Sequence, residues 1–287
     1  MPALSCKNGV NTRINVRIIQ SLLISLAILF SCSISFAQTI FTDDFSSGNM
    51  SKTQNGFKWL GSTSAQVVSF SGSNALEFTY NASGAGQDGM SEQRFDLGAY
   101  YPNVWIQYDM YVPSNYNLRE PSTNDKSYLY LWTDNYSGVG GVGGGFQNWT
   151  NANGQGDYLT FYDWSGPSDK FHATDSTRNP KAFGGHKGKW VNIIIHMKAG
   201  SGSSDGSAKL WVDGVLTYEL NSNNSPPGYN ISSFLYNANG NNAFRNGYLL
   251  GWSNNGFSQT TKIYIDNFKF STSQLINSDP PSSPIGQ

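Results

Sequence analysis

Lys189-Trp190-Val191-Asn192-Ile193-Ile194-Ile195-His196-Met197-Lys198 alternates two series of side chains. A strand sends neighbouring side chains to opposite faces, so Val191, Ile193, Ile195 and Met197 form one apolar face that belongs in a core. A stretch rich in Gly, Ser and Asp follows. Lys209-Leu210-Trp211-Val212-Asp213-Gly214 then resumes the pattern with Leu210 and Val212 on the same face. Asp-Gly after such a segment is a tight-turn signal. Working outward, period-2 segments recur at residues 66–70, 75–80, 92–97, 104–112, 128–132, 158–162, 190–198, 208–212, 248–252 and 262–270. Clusters of Gly, Asn, Ser and Asp separate them, and no segment sustains a helical period. Many antiparallel strands in 287 residues predict an all-β, two-sheet antiparallel β-jelly roll. Long loops are expected at residues 115–125, 137–156 and 165–187, where a rigid sandwich usually shapes its binding site.

The N-terminus is read separately. Lys7, Arg13 and Arg17 precede an apolar run from Ile18 to Phe30, and Ser35-Phe36-Ala37 sets small residues at the positions of a cleavage site. Residues 1–37 therefore read as a signal peptide, which predicts a secreted protein, extracellular or periplasmic. The run is too short to be a convincing membrane span. A lipid anchor through Cys32 is the alternative. The domain is expected over residues 38–272, and residues 273–287, with Asp279-Pro280-Pro281-Ser282-Ser283-Pro284, form a Pro/Ser-rich tail or linker. Both cysteines, Cys6 and Cys32, lie in the leader, so the domain must rely on its core and not on disulfides. Against 19 Asp and Glu the chain has 18 Lys and Arg, three of them in the leader. That balance argues against a nucleic-acid partner. It leaves room for an anionic polysaccharide, which a local basic cluster can bind. The expected protein is a monomer with no membrane span.

Lys126-Ser127-Tyr128-Leu129-Tyr130-Leu131-Trp132 is the stretch that speaks to function. Alternation puts Lys126, Tyr128, Tyr130 and Trp132 on one face and Leu129 and Leu131 on the other. An amine in line with three rings suits a groove for a sugar chain. A half-buried sandwich strand whose Tyr and Trp tips reach water is the other reading.

Taken together, Trp190, His196, Asp205-Gly206, Leu210-Trp211-Val212-Asp213-Gly214 and Tyr264-Ile265-Asp266-Asn267-Phe268 resemble the concanavalin A-like jelly roll. Within it the chain is similar to polysaccharide lyases of the family 14 alginate and family 20 glucuronan types, with ulvan lyases sharing the architecture. The resemblance implies that Lys126 stands where family 14 enzymes keep a catalytic lysine. Tyr158 and Tyr162 fall on the strand of their Tyr-x-Tyr pair, with Thr160 in its second position. Ser91-Glu92-Gln93-Arg94 resembles the strand that carries a substrate-binding arginine in family 7 alginate lyases, Gln93 replacing an apolar residue. Gly247-Tyr248-Leu249-Leu250-Gly251-Trp252 resembles that family's tyrosine strand, with leucine in place of its lysine. Its Gln-x-His strand has no counterpart at Tyr128-Leu129-Tyr130.

Eliminative cleavage of a uronate polymer needs a group to neutralise the C5 carboxylate, a base for the C5 proton and an acid for the departing O4. Arg94, Gln93, Gln147 and Asn148 are candidates for neutralisation and binding. Lys126 or a tyrosine is the candidate base, and Tyr248 or Tyr158 the candidate acid. Tyr128, Tyr130, Trp132 and Tyr162 are candidates for stacking on sugar rings. Each has a structural alternative: an ion pair with Glu92 for Arg94, a place in the core for Tyr248, and for His196 a structural role, which is the expected one, on the outer sheet. A non-catalytic carbohydrate-binding module would need the same groove without a working base, and an adhesive surface protein is a third class. Hydrolysis is disfavoured, because Glu77, Glu92, Glu120 and Glu219 do not form the Glu-x-Asp-x-x-Glu pattern of jelly-roll glucanases. The chemistry requires no cofactor. Asp43, Asp44 and Asp266 would meet if the terminal strands pair. Their oxygens suit a structural calcium ion or simply solvated turns.

Overall fold

Lys189–Lys198 pairs antiparallel with Ser207–Val212, setting Ile193 opposite Val212 and Ile195 opposite Leu210. All four, with Val191 and Met197, are buried in the main hydrophobic cluster. Asp213 and Gly214 take φ of 48° and 77°, the left-handed pair that a two-residue I′ turn requires, and the chain returns as Val215–Leu220. The computed structural model describes residues 39–117, 119, 124–134, 136, 140–150, 157–165, 170–173, 186–202, 205–221 and 234–275. Side chains at 124–127, 149, 150, 157, 158 and 170–173 lie outside that description.

In chain order the strands are β1 (Thr39–Asp43), β2 (Thr53–Gln54), β3 (Phe57–Thr63), β4 (Ala65–Phe70), β5 (Ser73–Tyr80), β6 (Gly89–Tyr101), β7 (Asn103–Val112) and β8 (Asn124–Trp132). There follow β9 (Gly143–Thr150), β10 (Asp157–Asp163), β11 (Lys170–Ala173), β12 (Lys189–Lys198), β13 (Ser207–Val212), β14 (Val215–Leu220), β15 (Phe244–Ser253) and β16 (Thr261–Ser271). The back sheet runs β14-β13-β12-β7-β16-β5-β4, with β1 pairing β16. The front sheet runs β11-β10-β9-β8-β15-β6-β3-β2. Among the described residues there is no helix, and the protein is an all-β antiparallel jelly roll.

The core lies between the two sheets. Ile106, Tyr108 and Met110 of β7 and Ile263 and Ile265 of β16 meet Phe95, Leu131, Phe146, Phe161 and Leu249 from the front sheet. At about 25 cal/mol per Å² of apolar surface, such rings and branched chains stabilise the sandwich without any cross-link. In β16 the register shifts between Asp266 and Lys269, and Asn267 takes a φ of 52°. The bulge changes which residues face inward, so Phe268 and Phe270 stay in the core after Ile263 and Ile265.

Two expectations are corrected here. The glycine-rich stretch expected as part of a loop contains β9, which pairs with both β8 and β10. An added Cβ at Gly143 would overlap Trp164 Nε1, and one at Gly145 would overlap the Leu129 carbonyl oxygen and lie 2.6 Å from the Tyr130 ring. These positions are bare because rings lie on them. Secondly, Tyr128 does not share the face of Tyr130. The β8–β9 register shifts between Asp125 and Leu129, so Tyr128 joins Leu129 and Leu131 in the core cluster. Tyr130 and Trp132 remain on the outer face.

Candidate functional site

Register across the front sheet places Tyr162 opposite Gly145, Gly145 opposite Tyr130, Tyr130 opposite Tyr248, and Tyr248 opposite Arg94. Five strands thus contribute one transverse row on the outer face. The next row brings Trp132 opposite Gly143 and Asn246, and Asn246 opposite Asp96. Alternation sets which side chains point out, and pairing sets which of them meet.

The rings on this face stack on one another. Tyr130 lies parallel to Tyr248 at 5.2 Å and 5°, and to Trp164 on its other side at 4.9 Å and 19°. Trp132 packs against Tyr248 at 5.8 Å, and Tyr162 meets Trp164 edge-on at 5.3 Å. Tyr136, from the segment after β8, covers this group, with its centroid 5.3 Å from Trp132, 5.7 Å from Trp164 and 5.9 Å from Tyr248. The Tyr130 hydroxyl donates to Gln147 Oε1 at 3.0 Å, which fixes the amide on the same face. The hydroxyls of Tyr136 and Tyr248 lie 3.2 Å apart.

Exposure divides the pair. Tyr136 is 43% exposed and Tyr248 1%. Burial, reinforced by Tyr130 and Tyr136, pushes the Tyr248 hydroxyl well above the ordinary tyrosine range, so it stays protonated. Arg94 is half-exposed, pairs through Nε with the buried Glu92, and holds its guanidinium carbon 5.9 Å from the Tyr136 ring centroid. The hydrogen bond to Glu92 keeps Arg94 charged. This arrangement can grip a carboxylate, pass a proton from a phenol and offer ring edges to a sugar.

The expected residues divide by strand parity. Arg94, Tyr130, Trp132, Gln147, Tyr162 and Tyr248 gather on the outer face. Gln93 turns the other way from Arg94 and donates Nε2 to the carbonyls of Leu60 and Arg94 at 2.8 and 2.9 Å. Asn148 likewise turns inward from Gln147, donating Nδ2 to the Tyr116 hydroxyl at 3.2 Å. Gln93 and Asn148 therefore do not join this row, because neighbours on a regular stretch of strand point to opposite faces. Lys126 lies on β8 and Tyr158 on β10, but their side chains are outside the described residues.

Trp164 and Tyr136 are not among the residues expected from the sequence. Trp164 continues the parity of Tyr162 one step past β10, a signal present in the chain. Tyr136 follows the end of β8 and has no pattern to mark it. On the back sheet His196 stacks on Trp105 at 4.2 Å and shares a 2.6 Å hydrogen bond with Asn103 Oδ1, in keeping with a structural role.

The terminal strands do pair, with Asp43 opposite Phe268. Asp43 accepts from Phe45 N at 3.0 Å and from Trp59 Nε1 at 2.8 Å, while Asp44 caps Ser46. Asp266 faces Asp109 across β16 and β7. Among the described residues no group of three or more His, Cys, Asp or Glu gathers as a metal would need.

A family model described as polysaccharide lyase matches residues 45–269. Among solved structures, alginate lyase vAL-1 from Chlorella virus superposes with a TM-score of 0.57 at 12% identity, covering 82% of this chain and 99% of that one. The cellulose induced protein Cip1 gives 0.47 at 12% identity, covering 83% and 100%. An endo-1,3-beta-glucanase from Streptomyces sioyaensis gives 0.46 at 13%, covering 83% and 96%. At such identities the alginate lyase likeness speaks to the fold alone. No curated protein sequence matches the chain.

Proposed function

The chain belongs to the polysaccharide lyase family, and from that premise we propose that it cleaves an anionic, uronate-containing polysaccharide by β-elimination. The observation that carries this reading is the row Tyr130–Tyr248–Arg94, in which one exposed cation stands beside phenols on a ring-lined face. Arg94 exchanges Glu92 for the C5 carboxylate of the substrate, which stabilises the carbanion that forms when the C5 proton leaves. Gln147, fixed by Tyr130, adds an amide to the same face. The tyrosine pair Tyr136–Tyr248 supplies the proton for O4. Lys126, on the strand of Tyr130 and Trp132, is assigned as the base.

The neighbouring carboxylates support elimination over hydrolysis. Glu92 is held by Arg94, and Asp96 lies between Lys58 and Arg245 at 4.0 and 3.6 Å. Neither is placed as one of two free acids flanking a glycosidic bond. The leader-like residues 1–37 support action outside the cytoplasm, and no described helix is long and apolar enough to cross a membrane.

The test is incubation of the purified protein with alginate, glucuronan and ulvan while following the ultraviolet absorbance of the unsaturated uronate. Wild-type protein is expected to raise it on at least one polymer. Lys126→Ala should cut turnover by about two orders of magnitude or more with the melting temperature unchanged. Binding to these polymers without product from any of them would replace the lyase reading by a carbohydrate-binding module.

A further inference from the structure

Of the two tyrosines whose hydroxyls share a hydrogen bond above the ring row, one is exposed and the other buried. Tyr248 is 1% exposed beneath Tyr136, which is 43% exposed. Tyr130 stacks on one side of Tyr248 and Trp132 packs near it. A polymer lying on this face meets Tyr136 and the half-exposed Arg94 first. We propose that Tyr136 is the acid that protonates O4 during elimination, and that Tyr248 is a positioning residue holding the oxygen of Tyr136. This rests on the β-elimination reading above and names its proton donor.

The base takes the C5 proton, and the C5–H electron pair becomes the C4=C5 double bond. The C4–O4 bond breaks, and its pair leaves on O4. O4 takes the phenolic proton of Tyr136, leaving a phenolate. Tyr248 O–H donates to that phenolate across the 3.2 Å contact. Arg94, with its guanidinium carbon 5.9 Å from the Tyr136 ring, adds positive charge nearby. Water then returns a proton to Tyr136, and the protonated base releases one. The division of labour follows from environment. Burial keeps Tyr248 protonated and so a donor, while Tyr136 is the member of the pair in contact with solvent. Tyr136 also touches Trp132 and Trp164, so its ring is held over the site although it comes from a connecting segment.

The experiment compares wild type with Tyr136→Phe and Tyr248→Phe on two substrates. One is the uronate polymer that the wild type cleaves. The other is a uronoside carrying fluoride at C4, a leaving group that departs without protonation, followed by fluoride release. Tyr136→Phe should lose about 100-fold or more in kcat on the polymer with KM little changed, as removal of a general acid does. It should keep its rate on the fluoro substrate within a few-fold. Tyr248→Phe should lose about 10-fold on the polymer, since one hydrogen bond to the phenolate is gone. A Tyr136→Phe enzyme fully active on the polymer, or equally impaired on both substrates, overturns the assignment while leaving the lyase reading intact. Wild-type protein inert on every uronate polymer overturns both.

Discussion

On the outer face of the back sheet, Trp105 stacks on His196 at 4.2 Å and on Trp211 at 5.6 Å, while Phe70 stacks on Tyr264 at 3.7 Å. On the outer face of the front sheet, Tyr130 stacks on Tyr248 and Trp164 at similar spacings. Ring content alone does not tell the two faces apart. The polar groups do. On the back sheet, Lys209 pairs with Glu219, Lys262 with Glu77 and Asn192 with Asp109, each across neighbouring strands. Such pairs close the surface on itself. On the front sheet the phenols of Tyr136 and Tyr248 meet each other, and the cation beside them is half-exposed. On this face the polar groups instead collect at one place, around the exposed ring of Tyr136.

That comparison can be broken by truncating one residue on each face. Trp105→Ala should cost about 3 kcal/mol or more of stability by removing a buried ring. The protein that remains folded should keep its kcat. Arg94→Ala should do the reverse, with kcat/KM down about 100- to 1,000-fold and little change in melting temperature, since loss of one charge-stabilising group has that magnitude. Denaturant titration and initial rates on the same preparations would check both. Lost activity in Trp105→Ala at full folding would mean that the back sheet takes part in the reaction.

The back sheet also predicts a pH dependence of stability. Burial, with Lys209 and Lys198 adding repulsion, lowers the His196 pKa to about 4. A base depressed in the folded state binds fewer protons there than in the unfolded chain. Its contribution is therefore present above about pH 6.5 and is lost as pH falls toward 4, by up to about 3 kcal/mol. His196→Phe should flatten the stability curve in that window.

Asp266 should give the smallest effect and the opposite sign. Burial, then Asp109, Asp44 and Asp43, raise its pKa to about 6. The folded state holds the proton between about pH 4 and 6, so this contribution is lost as pH rises through 6. Asp266→Asn should raise stability at pH 7 by about 1 kcal/mol, after discounting for solvent screening of a half-exposed group, and change little at pH 4. Calcium that raises the melting temperature of the wild type but not of Asp266→Asn would place an ion at Asp266.

The amino-acid sequence by itself determined the fold class. The alternation of Val191, Ile193, Ile195 and Met197, and the Asp213-Gly214 turn after Leu210 and Val212, leave no other way to bury one face. It also placed Arg94, Tyr130, Trp132 and Tyr248 on strands with the right parity, because parity is a local property of the chain. The tertiary structure decided the rest. Glycine has no side chain to alternate, so β9 could be recognised only once the rings of Trp164 and Tyr130 were seen lying on Gly143 and Gly145. Tyr128 was lost to the core where the β8–β9 register shifts, which depends on the pairing partner and not on the strand itself. Tyr136 came to Tyr248 from a connecting segment, 112 positions away in sequence. Which strands lie side by side, and which hydroxyl ends up covering another, are fixed by long-range packing that no periodicity records.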